Sequence, residues 1–311
     1  MSFSMQVKEE LQKEISTARH CRIAEIAAII LFCGRYNSSC IRVNTENLTV
    51  ASKYYILLEK TFKISAEVSV RCSGSSTYYQ VVICDRDSVK RVLQAIKVAS
   101  DSGEISEDGR ISGLIIQNTC CKRAFLRGAF MAIGSITDPN KSYHFEMVCT
   151  DKDKAETITS ILGAFNIESR HIIRKRYYVV YLKEGSQISD VLNVMSAHVA
   201  LMELENVRIV KEMRNQINRK VNCETANISK TTGAANRQRQ DIMYIRDNMG
   251  FGNLPEQLKE IAELRLENPD VALKELGTLL HPPLGKSGVN HRLRRLGEIA
   301  DNLRRLEGGK K

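Results

Sequence analysis

The side chains best suited to chemistry lie near the C-terminus, on a segment whose apolar residues follow a helical spacing. Val289, Leu293, Leu296, Ala300 and Leu303 recur at intervals of four, three, four and three residues, which predicts a helix with one buried face. Basic, imidazole and amide side chains fall outside that stripe, on or near the first turns: Lys286, Asn290, His291, Arg294 and Arg295. Arginine can pair with guanine, and asparagine with adenine, in the major groove. We therefore predict that this helix binds DNA bases.

Two shorter helical segments precede this helix, and the order of the three is typical of a helix-turn-helix. We expect Asn253 to cap the first, with Pro255 in its opening turn, and Asp270 to cap the second. Ser287 is expected to cap the third helix and, with the helix N-terminus, to bind a phosphate. The turn at residues 281–285 (HPPLG) is longer than usual. The alternative is a three-helix bundle used only for protein contacts, which the basic outer face disfavours.

The positive charge is concentrated in the last third of the chain. The net charge is +10, and residues 206–311 hold 20 basic and 13 acidic residues, as expected of a part that meets an anionic polymer. Residues 206–252, rich in Asn and Arg, are predicted to form a helical linker. Secondary phosphate contacts are predicted at Arg214, Arg219, Arg237 and Arg304. Residues 174–176 (RKR) are a weaker candidate, because such a trio is more often a solvated hairpin tip.

The first two hundred residues repeat one order of elements. Apolar helical runs end at Gly34 and Gly134, and we expect each glycine to form a left-handed cap. Each run is followed by a β-like segment, a helix, a β-hairpin and a second helix. In the first half these are residues 40–43, 51–62, 64–71 with 78–84, and 87–99. In the second half they are residues 142–150, 151–165, 168–174 with 177–182, and 187–197. Residues 101–113 are predicted to form a loop. The repeat predicts a pseudo-symmetric α+β domain whose apolar helices pack on each other.

The composition excludes several classes of protein. Of the 311 residues, 43% are hydrophobic and 26% charged, which excludes disordered and fibrous chains. The longest uncharged apolar stretch, residues 26–33, is too short for a bilayer, and the first residues do not resemble a signal peptide. We expect a cytoplasmic protein whose nine cysteines are reduced. The scattered histidines and the absence of a Cys-x-x-Cys pair predict no metal site, and no cofactor is expected.

Three sets of residues carry a resemblance to a known family. The helices ending at Gly34 and Gly134 look like degenerate LAGLIDADG motifs of homing endonucleases. Together with residues 222–227 (NCETAN) and 286–295 (KSGVNHRLRR), they resemble the WhiA family of bacterial sporulation and cell-division regulators, over essentially the whole chain. The resemblance implies a LAGLIDADG-like α/β repeat domain at 1–205, with half-repeats at about 20–100 and 119–198. A linker at 206–252 and an all-α helix-turn-helix domain at 253–311 follow, with the motif itself at about 271–304.

The resemblance also implies a DNA-binding transcription factor, associated with the nucleoid and linked to cell division, chromosome segregation and sporulation. In the endonucleases, the position before each final glycine carries the acid that binds the metal ion. Cys33 and Ile133 occupy those positions here, and neither supplies the hard oxygen ligands that Mg²⁺ requires. Asp138 lies nearby, but the sequence Asp-Pro-Asn indicates a turn. We therefore expect no nuclease activity and no bound metal.

Three hypotheses follow from these residues. The leading one is a sequence-specific transcriptional regulator that binds double-stranded DNA in promoter regions, not an enzyme and not a membrane protein. The second is a surviving nuclease that depends on Asp138. The third is a scaffold whose N-terminal domain binds a partner protein or a small ligand, with DNA binding subsidiary. This third possibility is compatible with the first for the N-terminal domain.

Overall fold

A computed structural model describes residues 1–74, 76–100 and 111–308. The chain divides into two units, Met1–Glu212 and Met213–Lys311. Most of the loop predicted at 101–113 lies outside the described residues. Among the described helices, none combines the length and the apolar character needed to cross a membrane.

The first unit contains the two predicted repeats, preceded by helix α1 (Phe3–Lys13). The first repeat consists of α2 (Arg19–Cys33), β1 (Gly34–Tyr36), β2 (Ile41–Thr45), α3 (Leu48–Phe62), β3 (Glu67–Ser73), β4 (Ser76–Ile83) and α4 (Arg86–Ala95). The second consists of α5 (Thr119–Ile133), β5 (Gly134–Ile136), β6 (Phe145–Cys149), α6 (Lys152–Gly163), β7 (Arg170–Arg174), β8 (Tyr177–Leu182) and α7 (Gly185–Met195). The predicted pseudo-symmetric α+β fold is confirmed.

Each repeat forms one antiparallel four-stranded sheet, with strand orders β1-β2-β4-β3 and β5-β6-β8-β7. In the central pairs, Val43 lies opposite Val81 and Met147 opposite Val180. These four side chains are buried, whereas Arg42 and Asn44 on the alternate positions of β2 are exposed. The alternation gives each sheet a core face and a polar face.

Helices α2 and α5 pack against each other through small residues at the centre of the unit. A Cβ atom at Gly128 would lie 2.6 Å from the Glu25 carbonyl oxygen and 3.0 Å from the Ala28 Cβ, so this close approach requires glycine. The left-handed caps predicted at Gly34 and Gly134 are wrong, since both have extended backbones with φ of −97° and −86°. These two positions need glycine for space, because an added Cβ would meet carbonyl oxygens of the preceding turn at 2.5 Å and 2.7 Å.

A buried network of charges crosses the helix pair. The Glu25 carboxylate on α2 lies 3.0 Å from the Lys53 ammonium on α3 and 2.9 Å from the Arg127 guanidinium on α5. Lys53 also donates to the carbonyl oxygen of Leu11 at 2.7 Å, and Arg127 to that of Met195 at 3.2 Å. The network therefore links α2, α3 and α5 to the ends of α1 and α7.

Helix α8 (His198–Asn248) contains the segment predicted to be a linker. It begins inside the first unit, where the Glu10 carboxylate accepts from the amides of Val199 and Ala200 at 2.7 Å and 3.0 Å. The sequence places a boundary at 205–206, but the helix continues through it, and the boundary between the units falls after Glu212. The two positions differ because the amino-acid composition becomes rich in Asn and Arg from residue 206, whereas the contacts of α8 with the first unit continue to Glu212.

The second unit packs the end of α8 with three further helices, α9 (Glu256–Glu267), α10 (Leu273–Thr278) and α11 (Lys286–Gly308). Ile242 and Ile245 of α8 are fully buried in this core, so residues 253–311 are only part of the packed unit. Val289, Leu293, Leu296 and Ala300, predicted to form the apolar stripe of the last helix, are buried in the same core. Its other members are Leu254, Ile261, Ala262, Leu276 and Leu280.

The predicted helix caps in this unit are wrong. Asn253 lies in a 3₁₀ turn (Phe251–Asn253), and Pro255, not Asn253, is the N-cap of α9. Ala272, not Asp270, caps α10. Ser287 lies within the first turn of α11, one residue after the helix begins. The apolar residues of each short helix must meet the core, and this requirement overrides the preference of a single capping side chain.

Candidate nucleic-acid interface

The outer face of α11 carries the six residues predicted to contact bases and phosphate. Lys286, Ser287, Asn290, His291, Arg294 and Arg295 are all exposed. Val289 and Leu293, on the opposite face of the same turns, are buried in the core of the second unit. The structure therefore brings the six together on one solvent-facing surface, which we call the α11 face. It offers guanidinium, ammonium and amide donors suited to phosphates and base edges.

The start of α11 is fixed by the residues that precede it. The amide of Leu284 donates to the carbonyl oxygen of Gly277 at 2.9 Å. A Cβ at Gly277 would overlap the carbonyl oxygen of Leu284, so α10 can meet the turn only through glycine. The amide of His281 donates to the Glu260 carboxylate on α9 at 2.9 Å. These contacts hold the long turn, and with it the first residues of α11, against α9 and α10.

Two of the arginines on the α11 face share one acidic partner. The Glu298 carboxylate lies 2.9 Å from the Arg295 guanidinium and 3.6 Å from that of Arg294. The two arginine side chains are 64% and 73% exposed, and such exposed pairs contribute roughly 0–1 kcal/mol. An incoming phosphate or base can therefore replace Glu298 at little cost.

The four predicted secondary contacts fall into three different places. Arg237 on α8 lines a shallow groove with Asn290 and Arg294, so it borders the α11 face. Arg214 and Arg219 are exposed on α8, but Arg219 precedes Arg237 by about 27 Å of helix. The structure does not bring Arg214 and Arg219 to the α11 face.

The Arg304 side chain is engaged by other residues of the second unit. Its guanidinium lies 2.7 Å from the buried carboxylate of Asp241 and 3.0 Å from Asp301, and it stacks over the Tyr244 ring at 4.8 Å. Donating a hydrogen bond to the Asp241 carboxylate raises the pKa of Arg304 above its usual value. This arrangement favours a structural role over the phosphate contact predicted from the sequence.

In the first unit, Cys33 and Ile133, which the resemblance to endonucleases aligns with metal-binding acids, lie at the ends of α2 and α5. The Cys33 thiol donates to the Ile29 carbonyl oxygen at 3.2 Å, and burial raises its pKa to about 12. Burial lowers the pKa of Lys8, on α1, to about 8, and the Cys33 thiol raises it back in part. Lys8 is therefore largely protonated near neutral pH, and a cation here opposes the approach of a divalent metal ion. Lys8 was not predicted as part of this region, because it lies outside the repeats.

The remaining polar candidates of the first unit have local partners. The Asp138 carboxylate accepts from the amide and side chain of Asn140 at 2.9 Å and 3.0 Å, which confirms the predicted turn. At the tip of the second hairpin, Lys175 has a φ of 57°, and Arg176 lies over the Tyr177 ring at 5.3 Å. Arg174 lies 3.6 Å from Glu146. All three basic residues of the tip are exposed.

Comparisons with known proteins match the whole chain. Family models for the WhiA N-terminal LAGLIDADG-like domain, the WhiA LAGLIDADG-like domain and the WhiA C-terminal HTH domain match residues 19–99, 122–214 and 217–300. A Lachnoclostridium phytofermentans protein, "Probable cell division protein WhiA", is 50% identical over 312 residues, covering 98% of this chain and 100% of that protein. The chain belongs to the WhiA family. An Alkaliphilus oremlandii WhiA protein of the same description is 45% identical, with 97% and 98% covered.

A solved structure supports the WhiA assignment across both units. The full-length DUF199/WhiA of Thermatoga maritima matches with a TM-score of 0.60 at 26% identity, covering 97% of this chain and 99% of that one. The WhiA C-terminal HTH model begins at residue 217, inside α8. This start agrees with the burial of Ile242 and Ile245 in the core of the second unit.

Proposed function

We propose that the chain is a sequence-specific DNA-binding transcriptional regulator that acts in bacterial cell division, at promoter DNA in the nucleoid. The observation that carries the proposal is the α11 face, where six polar and basic residues stand exposed on the first turns of a helix fixed by a buried core. The family assignment supports a helix-turn-helix role, and the relatives' descriptions name cell division.

The α11 face supports separate roles for its residues. Asn290, His291 and Arg294 lie where a recognition helix contacts base edges, with Arg294 suited to guanine and Asn290 to adenine. Lys286 and Ser287, at the first turn, suit a phosphate because the helix N-terminus adds amide donors and a positive dipole. Arg237 borders the same groove and extends the positive surface along α8.

We also propose that the LAGLIDADG-like domain does not cleave DNA. Cleavage by this class of site needs carboxylate oxygens that hold divalent ions at the ends of the two central helices. Cys33 and Ile133 stand there, and the ammonium of Lys8 lies 5.7 Å from the centre of the Phe130 ring, near the end of α5. A thiol kept neutral by burial and a nearby cation together disfavour Mg²⁺. Asp138 is held in its turn by Asn140.

The DNA-reading role is tested by comparing the full-length protein with the variant Arg294→Ala. Genomic occupancy supplies the preferred sites, and titration of one preferred and one scrambled duplex supplies the affinities. We expect Arg294→Ala to weaken binding to the preferred site by roughly 5- to 150-fold, which corresponds to about 1–3 kcal/mol, while binding to scrambled DNA changes much less.

Arg305→Ala is the matched control, because Arg305 is exposed on the same helix but near its far end. It removes the same charge without touching the first turns. If both variants weaken the preferred and scrambled sites equally, α11 supplies only charge and the sequence-reading role is wrong. If neither changes DNA binding and a partner protein still binds, the scaffold alternative is favoured.

The nuclease is tested by incubating the full-length protein with supercoiled plasmid and Mg²⁺ or Mn²⁺. We expect no nicking above a metal-free control. Metal-dependent nicking that Asp138→Asn abolishes contradicts the proposal that the domain is inactive.

A further inference from the structure

Four metal-ligating side chains of the first unit meet at one point between the two repeats. His20 and Cys21 lie in the first turn of α2, and Cys120 and Cys121 lie in the first turn of α5. The His20 ring nitrogen and the three Sγ atoms all lie within 4.8 Å of one another. None of these residues belongs to the α11 face or to the former nuclease positions.

The distances match those of a tetrahedral thiolate and imidazole site. His20 Nδ1 lies 3.4 Å from the Cys21 Sγ, 3.2 Å from the Cys121 Sγ and 4.0 Å from the Cys120 Sγ. Zinc bonds of about 2.3 Å to sulfur and about 2.0 Å to nitrogen place tetrahedral ligand atoms roughly 3.5–3.8 Å apart. The nitrogen–sulfur distances therefore lie within about 0.5 Å of these values, and sulfur atoms that lie within 4.8 Å of one another need to approach by at most about 1 Å to hold one mononuclear ion.

The surroundings act on the charge of such a site in two directions. Each pair of ligands stands at a helix N-terminus, where the helix dipole favours thiolates, whereas burial raises the pKa of Cys21 and Cys121. Cys21 and Cys121 are buried, whereas His20 and Cys120 are exposed. The buried pair lies away from solvent, and the exposed pair leaves a path by which an ion can enter.

We propose that His20, Cys21, Cys120 and Cys121 bind one Zn²⁺ ion, which joins the two repeats at the N-terminal ends of α2 and α5. Three thiolates and one imidazole form a Cys₃His set, a combination typical of structural zinc. The spacing along the chain predicts no metal site, because neither half holds a complete set of ligands. The available signal is the repeat itself, since His20 and Cys120, and Cys21 and Cys121, are separated by the same 100 residues that separate Gly34 and Gly134.

A disulfide between two of the cysteines is the competing explanation. It would account for two of the thiols, but not for a third thiol or for an imidazole nitrogen that approaches all three sulfur atoms. Convergence of four ligand atoms of the types that zinc prefers favours the ion.

The experiment uses the full-length protein, fully reduced, freed of metal with a chelator and transferred to chelator-free buffer. Zn²⁺ and, separately, Co²⁺ are then titrated. We expect saturation at one ion per chain, and a Co²⁺ complex with the charge-transfer and visible bands of a tetrahedral thiolate site. We also expect a Zn²⁺-dependent rise in the Tm, because an ion that binds only the folded state stabilises it.

Cys120→Ser and His20→Ala are the informative variants, because both side chains are exposed and their loss leaves the core intact. Each is expected to lose the Co²⁺ spectrum, to weaken Zn²⁺ binding at least tenfold, and to keep the metal-free Tm of the parent. Cys72→Ser and Cys223→Ser are matched controls at exposed cysteines outside the cluster, and we expect them to bind as the parent does.

Two results would overturn the site. One is a reduced parent protein that does not bind one equivalent of metal. This result overturns the site whether or not the untreated protein contains a disulfide within the cluster. The other is a Co²⁺ spectrum that survives in both cluster variants, which would place the bound ion elsewhere.

Discussion

Replacing Glu25 by glutamine tests the buried network at the centre of the first unit. Glu25 and Lys53 are fully buried, and Arg127 is 4% exposed. The single carboxylate faces both cations, at 3.0 Å and 2.9 Å. Glutamine keeps the shape and one acceptor oxygen but removes the negative charge that contacts both cations, and leaves Lys53 the smaller contribution of Glu14. The variant therefore isolates the electrostatic part of the network.

The magnitude follows from the geometry. With an effective dielectric constant of about 20, each pair at about 3 Å attracts by roughly 5–6 kcal/mol. The cost of removing the charges from water offsets much of this attraction in the parent, but it remains when one partner is deleted. We expect Glu25→Gln to lower the free energy of unfolding by about 3–5 kcal/mol. For a unit of this size, that corresponds to a fall in Tm of roughly 6–20 °C.

The loss should also depend on pH. Burial lowers the pKa of Lys53 below 10.5, and Glu25 partly restores it, while Arg127 lowers it further. Without Glu25 the folded-state pKa falls further below the unfolded value. A lysine with a depressed folded pKa destabilises the fold at lower pH, and this penalty disappears as pH rises. The deficit of the variant is therefore largest where Glu25 of the parent is ionised and Lys53 is protonated in both proteins, and it shrinks as pH rises through the folded pKa of Lys53 in the variant.

Urea unfolding followed by tyrosine fluorescence measures this effect. The chain has no tryptophan, and nine of its ten tyrosines lie in Met1–Glu212, so the signal reports mainly on the first unit. Glu59→Gln is the control, because Glu59 is exposed on α3; it should change stability by less than about 0.5 kcal/mol. If Glu25→Gln matches this control, or if its deficit is the same at all pH values, the reasoning about buried charge is refuted.

Three further predictions concern packing and binding. Gly128→Ala should destabilise the first unit by about 1–3 kcal/mol by separating the helices, whereas Gly163→Ala, whose added Cβ meets nothing within 4 Å, should be neutral or stabilising in the same urea assay. Arg304→Ala should destabilise the second unit by leaving the Asp241 carboxylate without its partner at 2.7 Å; an unchanged thermal transition would argue against a structural role. Glu298→Gln should tighten binding to scrambled DNA a few-fold by freeing the two arginines it pairs with, and weaker binding would contradict this account.

Local patterns in the sequence predicted the elements of the first unit well. The β-branched and aromatic run at 177–182 predicts a strand with the same bounds as β8, because alternation and side-chain type are sufficient for a half-buried strand. The two repeats follow the predicted order apart from the short strands β1 and β5, which, like helix α1, were not predicted. Apolar spacing also identified α11 and its buried face, since a helix of this length carries several turns of periodic signal.

Features that depend on distant contacts were not predictable in the same way. The sequence shows a glycine at 134 but not whether it forms a left-handed helix cap or allows a close approach. The preference for glycine at helix ends predicts the cap, whereas the structure shows the close approach. Arg304 and Lys8 have the types of free surface cations, yet folding gives each a specific partner. The α11 face was therefore predicted, because its six residues lie on one helix. The contacts of Arg304 and Lys8 were not predicted, because each joins two different helices.

The buried charges also determine which helices can pair. The repeat aligns Glu25 with Phe125 and Arg127 with Ala27, so the acid comes only from the first half and the guanidinium only from the second. Two first halves meeting through α2 would bury two carboxylates face to face, and two second halves would bury two guanidiniums. Two second halves would leave both guanidiniums uncompensated in the interior, and two first halves would leave Lys53 as the partner of each carboxylate without the guanidinium of Arg127. Although the halves share one architecture, they are no longer interchangeable, and the network selects the association of unlike halves over that of like halves.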